Sequence, residues 1–126
     1  MHPHSKFILI AALTGFLAVV LGALGAHGSV HDALVANGKL DSWEVGVRYH
    51  LPHAILLYGL AMMGGSGGKR LSRAWLSLFI GLLLFSGSIY LLALFGWKWL
   101  GPVTPLGGLL LMIGWLQLAF IKWQRD

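Results

Sequence analysis

The sequence predicts an all-α membrane protein, a single domain over residues 1–126 in which four transmembrane helices form a compact bundle and the second helix is kinked. The first observation is composition, because 57% of the residues are hydrophobic and 10% are charged, against roughly 25% charged residues in soluble domains. The second is the division of the chain into long apolar stretches by short polar or basic ones. The approximate predicted spans are 7–26, 43–64, 74–96 and 103–121.

The first predicted helix carries a stripe of small side chains along one face. Such a stripe lets a neighbouring helix approach closely. Its apolar stretch of about 20 residues exceeds the roughly 7–15 residues of a signal-peptide core, so we expect this helix to be retained. The segment that follows, 29–40, is polar and predicts a loop with one short helical turn. The small residues recur at spacings of four, three, four and four: Ala11, Gly15, Ala18, Gly22 and Ala26.

The second predicted helix decides how many times the chain crosses the bilayer. Its apolar run, 51–63, covers only ~20 Å as a helix, whereas the hydrocarbon core is ~30 Å thick. The span must therefore begin near Val45, which takes Arg48, His50 and His53 into or against the membrane. Ionisable residues at this depth are costly and mark a functional site or a structural ion pair by default.

Three local signals describe this helix further. Pro52 removes one backbone hydrogen bond inside the helix and predicts the kink. Asp41 or Ser42 is expected to cap the first turn. Glu44 and Arg48 stand at i,i+4 with the acid first, which favours an ion pair on one helix face.

Two sets of polar residues are candidate sites. The first is a polar cluster near the outer membrane face, expected to connect the first two helices: His27, Glu44, Arg48, Tyr49 and His53. The second is a set of intramembrane hydroxyls on the last two helices: Ser86, Ser88, Tyr90 and Thr104. Serine in a membrane helix often bonds to a carbonyl of its own helix, so the second set is expected to be mainly structural.

The charged residues predict the topology. The net charge is +5, but the basic residues stand at the ends of apolar segments rather than on one face, which argues against nucleic acid as a partner. Six basic residues fall on the side of both termini and three on the other side, which predicts cytoplasmic termini in the inner, or plasma, membrane. The six are Lys6, Lys69, Arg70, Arg73, Lys122 and Arg125, and the three are Lys39, Arg48 and Lys98. Trp43, Trp97 and Trp99 are expected at the outer interface, and Trp75 and Trp123 at the inner one.

Four ordered motifs together resemble one protein family. They are Gly22-Ala-Leu-Gly-Ala-His27, Gly46-Val-Arg-Tyr49 with His53, Phe85-Ser-Gly-Ser-Ile-Tyr90, and Thr104-Pro-Leu-Gly-Gly108. The chain resembles the bacterial inner-membrane family that includes YgdD and YwdK, related to vertebrate transmembrane protein 256. The resemblance implies a four-helix membrane protein of undetermined biochemical role. Members usually carry Gln at the position of His50 and an aromatic residue at that of Pro52, so the resemblance implies no general role for His50 and a kink particular to this chain.

The residue inventory favours an accessory function. The chain has no cysteine, and no grouping of Ser, His and acid has a catalytic spacing, so we predict no catalytic residue and no cofactor. Metal or haem binding would have to use His27, His50 and His53, whose convergence the sequence does not fix. We favour an accessory or assembly subunit that contacts the lipid bilayer and packs on a larger membrane complex or forms a homo-oligomer. The alternative is a small-molecule or ion transporter.

Overall fold

The computed structural model describes residues 5–123, and within that range the chain is helical and has no β-strand. The predicted all-α fold class is confirmed. A π-helix, Leu83–Gly87, joins α4 to α5 in one continuous helix from Gly68 to Phe95, and short 3₁₀ helices cover Gly64–Gly67 and Lys98–Leu100. The α-helices are α1 (Ser5–Ala26), α2 (Gly28–Ala36), α3 (Leu40–Met62), α4 (Gly68–Leu82), α5 (Ser88–Phe95) and α6 (Val103–Ala119).

Among the described residues, three helices are long and apolar enough to cross a membrane. They are α1, the continuous α4–α5 helix of 28 residues, and the helix Lys98–Ala119 that contains α6. With 23 residues α3 is also long enough, but Arg48, the two histidines and Pro52 make it less apolar than the other three. It runs without a break from Leu40 to Met62. The fourth span and the kink at Pro52 therefore stay predictions.

Most of the contacts between helices are made by a few pairs. α1 lies against α3, α3 lies against α4 and α5, and α6 lies against α4 and the π-helix. The small-residue stripe of α1 faces α3, since Ala11 and Ala18 are buried and a Cβ added to Gly22 would lie 3.4 Å from a methyl group of Val47. The stripe is therefore used for packing inside this chain.

Two local predictions about helix boundaries are wrong. α2 has nine residues where the sequence predicted a loop with one turn, and the Nδ1–H of His31 donates to the Gly25 carbonyl at 2.7 Å near the end of α1. The N-cap of α3 is Lys39, without a side-chain hydrogen bond, rather than Asp41 or Ser42.

Arg125, one of the six basic residues in the charge comparison that predicts the topology, lies outside the described residues.

Candidate functional site

The structure divides the predicted polar cluster between two faces of α3. Glu44 and Arg48 line an open groove between α1 and α3, which we call the α1–α3 groove. His27 is exposed in the turn between α1 and α2. Tyr49 and His53 face the π-helix and α6 instead. The remaining residues of the α1–α3 groove are Gly22, Gly25, Ala26, Trp43 and Val47.

Glu44 and Arg48 do not form the expected ion pair. Both side chains are exposed, and within residues 5–123 no hydrogen bond or ion pair joins Arg48 to an acidic side chain. The i,i+4 spacing places both residues on the same open side of α3, where nothing packs over them to hold the two groups together. Arg48 consequently has no partner of opposite charge in the described chain.

Tyr49 and His53 belong to a second group that links α3 to α6. The Nδ1–H of His53 donates to the Tyr49 carbonyl at 2.7 Å, and Nε2 of His53 accepts from the indole N–H of Trp115 at 3.1 Å. Because a carbonyl only accepts and an indole only donates, these two bonds fix His53 as the neutral Nδ1–H tautomer. Both ring nitrogens are therefore occupied. The Tyr49 ring lies 4.9 Å from the ring of Phe85.

A buried polar centre lies between α3 and the continuous α4–α5 helix. Tyr90 OH and Nδ1 of His50 are 2.9 Å apart, and His50 also contacts the backbone of Thr14 on α1. Ser86 Oγ donates to the Gly46 carbonyl at 2.9 Å. A Cβ at Gly46 would lie 3.0 Å from the Tyr90 ring, so the absence of a side chain there lets the two helices approach. We define the buried polar centre as Gly46, His50, Ser86 and Tyr90.

The other two predicted hydroxyls connect α5 to α6. Ser88 Oγ donates to the Phe85 carbonyl at 2.9 Å, which is the bond back to its own helix that the sequence predicted. Since the Ser88 proton is used there, Thr104 Oγ1 donates to Ser88 Oγ across a distance of 2.5 Å. Ser86 differs, because its bond goes to another helix. The four hydroxyls thus bond within the protein.

The three histidines of the metal or haem hypothesis do not form a shared site. His27 is exposed, while His50 and His53 are buried and bonded to different partners. Among the described residues 5–123, no three His, Asp or Glu side chains group to hold a metal ion. The hydrogen bonds of His50 and His53 instead attach α3 to α5 and α6.

Sequence reasoning left His50 out of the polar cluster, yet it is the histidine at the centre of the fold. The signal was present in the helical periodicity of α3, because His50 follows Trp43 and Gly46 and precedes Ala54 and Leu57 at spacings of three, four, four and three. Side chains at these spacings share one helix face. All five are buried, so this face is the one that packs against the rest of the protein.

Comparisons with known proteins place the chain in a family. Residues 21–108 match the family described as "Protein of unknown function (DUF423)". The UPF0382 membrane protein YwdK of Bacillus subtilis is 40% identical over 116 residues, which cover 90% of this chain and 92% of that protein. The chain belongs to the DUF423 family. The resemblance inferred from the four motifs is confirmed, and the DUF423 relatives identify the chain as a membrane protein.

Other DUF423 relatives match over a similar extent. A UPF0382 membrane protein of Haemophilus influenzae is 38% identical over 117 residues, covering 92% of each chain. The UPF0382 membrane protein SAB0533 of Staphylococcus aureus is 37% identical over 112 residues, covering 89% of this chain and 90% of that protein. No solved structure matches the chain.

Proposed function

We propose that this DUF423 protein is an accessory or assembly subunit of the inner membrane that packs on a larger membrane protein through the α1–α3 groove. The observation that carries the proposal is the position of Arg48. It lies about 12 Å along α3 from Leu40, at 1.5 Å per residue. Its side chain is exposed, and no described residue supplies a counter-charge to it. A charged side chain that faces lipid at such a depth is costly. An acidic side chain of a partner in the groove would remove that cost.

The interior of the protein supports this proposal over transport. The buried polar centre forms its hydrogen bonds within the chain, which leaves its groups committed to holding helices. Proton-coupled export needs a carboxylate within the bilayer, and the sequence has no Asp or Glu between Glu44 and Asp126. Transport of a small molecule or ion is therefore the weaker candidate.

The proposal includes α3 as a fourth membrane span. A helix of 23 residues extends about 35 Å, which is enough for a hydrocarbon core of about 30 Å. α3 lies between α1 and the continuous α4–α5 helix, so its buried face packs against helices that are themselves apolar enough to span. Pro52 leaves the Arg48 carbonyl without its usual backbone donor, which favours a kink at this point.

Cysteine labelling tests the fourth span, and the chain suits it because it has no cysteine of its own. Asn37 and Lys69 are exposed and stand on either side of α3. With α3 across the bilayer and both termini in the cytoplasm, we expect an impermeant maleimide to label Asn37→Cys in intact spheroplasts and to label Lys69→Cys only after lysis. Labelling of both variants in intact cells, or of neither, would mean that α3 does not cross.

Arg48→Ala tests the accessory role itself. In membranes extracted gently from the native host, we expect the wild-type protein to migrate with a larger complex in native electrophoresis and Arg48→Ala to migrate as the free subunit. Removing one partner from a charge pair in an interface costs about 2–5 kcal/mol, much of it from leaving the other charge unpaired. Because Arg48 has no partner of opposite charge among residues 5–123, the thermal stability of the purified subunit should stay unchanged.

Lys98→Ala is the matched control, since Lys98 is an exposed basic residue of the same predicted side. It should migrate with the complex like the wild-type protein. The accessory role is wrong if the wild-type protein runs only as a small free species. A homo-oligomer that Arg48→Ala leaves intact would also exclude the groove as the contact surface.

A further inference from the structure

A second groove lies between α4 and α6, at the end of the molecule opposite α2. Its volume is about 470 Å³, within the roughly 300–1,000 Å³ of small-molecule sites. Both arginines of the groove are exposed and stand in the first two turns of α4. The lining residues of this α4–α6 groove are Arg70, Arg73, Ile113, Leu116, Gln117 and Phe120.

The groove has an excess of positive charge that none of its described lining residues neutralises. No Asp or Glu occurs between Glu44 and Asp126, so the segments that form the groove contain no acidic residue. Lys69 and Arg70 lie in the first turn of α4, where the helix dipole is positive and favours negative groups instead. Arg70 uses one N–H to bond the Phe120 carbonyl at 3.1 Å, which holds its guanidinium at the end of α6 and leaves further donors.

The other lining groups of the groove fit the acyl chains and the headgroup hydroxyls of a phospholipid. Ile113 and Leu116 are exposed apolar side chains on α6, and Phe120, directly after α6, is exposed as well. Acyl chains can lie against such a surface. Gln117 Oε1 is buried without a hydrogen-bond partner among residues 5–123, and a hydroxyl group of a lipid headgroup can donate to it.

We infer that the α4–α6 groove binds one anionic phospholipid with a hydroxylated headgroup, its phosphate between Arg70 and Arg73 and its acyl chains along α6. Basic pockets between transmembrane helices are known to suit anionic headgroups. Phosphatidylglycerol has the required charge and hydroxyl groups. This site is on a different pair of helices from the α1–α3 groove, so it does not depend on the accessory role.

Native mass spectrometry of the full-length protein tests the inference with phosphatidylglycerol and phosphatidylcholine of matched acyl chains. We expect the protein to retain one phosphatidylglycerol with roughly thirtyfold preference over phosphatidylcholine, because each of the two arginines attracts an anionic lipid. In Arg70→Gln/Arg73→Gln the preference should fall to near one. Lys39→Gln/Lys98→Gln removes the same charge at the opposite end and should keep it.

Further variants and competitors test whether the retained phosphatidylglycerol is bound by these residues of the groove. If the double variant does not fold, Arg73→Gln alone applies, because Arg73 lies in the same groove and does not hold the end of α6 as Arg70 does. This single variant should lose at least fivefold of the preference. Gln117→Leu should lower retention of phosphatidylglycerol relative to phosphatidic acid, which lacks the headgroup hydroxyls. Equal retention of phosphatidylglycerol and phosphatidic acid by the wild-type protein would overturn the inference. Full displacement of the retained phosphatidylglycerol by inorganic phosphate would overturn it as well.

Discussion

Trp43→Ala is expected to lower the free energy of unfolding by about 3 kcal/mol, near the lower end of large aromatic-to-alanine losses in protein cores. The Trp43 side chain is 1% exposed, its indole N–H donates to the Leu21 carbonyl at 2.9 Å, and its ring lies 4.8 Å from that of Tyr90. Lipid tails are as apolar as the protein interior, so the loss comes from the cavity, the broken contacts and the hydrogen bond. Denaturant titration of the purified protein in detergent, followed by circular dichroism, measures it.

Trp99→Ala is the control, because Trp99 is 68% exposed and has no indole hydrogen bond in the described structure. We expect it to change the stability by less than about 0.5 kcal/mol, as is usual for surface positions. Equal losses in the two variants would show that Trp43 is not part of the core. Trp43 also lines the α1–α3 groove, so Trp43→Ala should weaken migration with a larger complex as well.

Trp43 shows why apolar segments could be predicted but side-chain positions could not. Tryptophan is enriched at membrane interfaces, and Trp43 near the start of α3 fits that statistic. Its actual position depends on Gly25, because a Cβ there would overlap the Trp43 ring. Only the packing of α1 on α3 brings these residues together, and nothing in either segment by itself indicates it.

The helices themselves could be predicted because the relevant signals are local. The apolar stretches predict the starts and ends of α1 and α6 to within two residues. The sequence predicts the start of α4 six residues too late, because the glycines and basic residues before it are typical of a loop. Positive φ angles at Gly64 and Gly68 make the turn there in a few residues, so the helix starts at once.

The hydrogen-bond partners of the candidate residues could not be predicted from the sequence. Ser86 and Tyr90 were proposed from the sequence as polar groups inside the helices, and their partners in the structure, the Gly46 carbonyl and His50, are on α3. Such pairs are 40 residues apart in the chain, and a single sequence carries no signal for them. Glu44 and Arg48 show the opposite failure, since helix spacing predicted a pair that the structure does not form.

Gly107→Ala is expected to destabilise the packing of α6 on α4 by about 1–3 kcal/mol, the usual cost of overpacking a well-packed contact. A Cβ at Gly107 would overlap the backbone nitrogen of Phe85 and lie 2.7 Å from the carbonyl carbon of Leu84. Backbone atoms of a continuous helix cannot move aside as a side chain can, so the two helices must separate. The gain in helix propensity from Gly to Ala, about 1 kcal/mol, offsets only part of this cost.

Gly108→Ala separates the steric effect from the change in propensity, since it makes the same substitution at the next position of the same helix. A Cβ there would meet only the Phe85 ring, at 3.5 Å, which is ordinary contact. We therefore expect Gly108→Ala to be neutral or slightly stabilising and Gly107→Ala to lower both the unfolding midpoint and the amount of protein in membranes. If the two variants have the same unfolding midpoint, the close approach of α6 to the start of the π-helix is not what holds these helices in place.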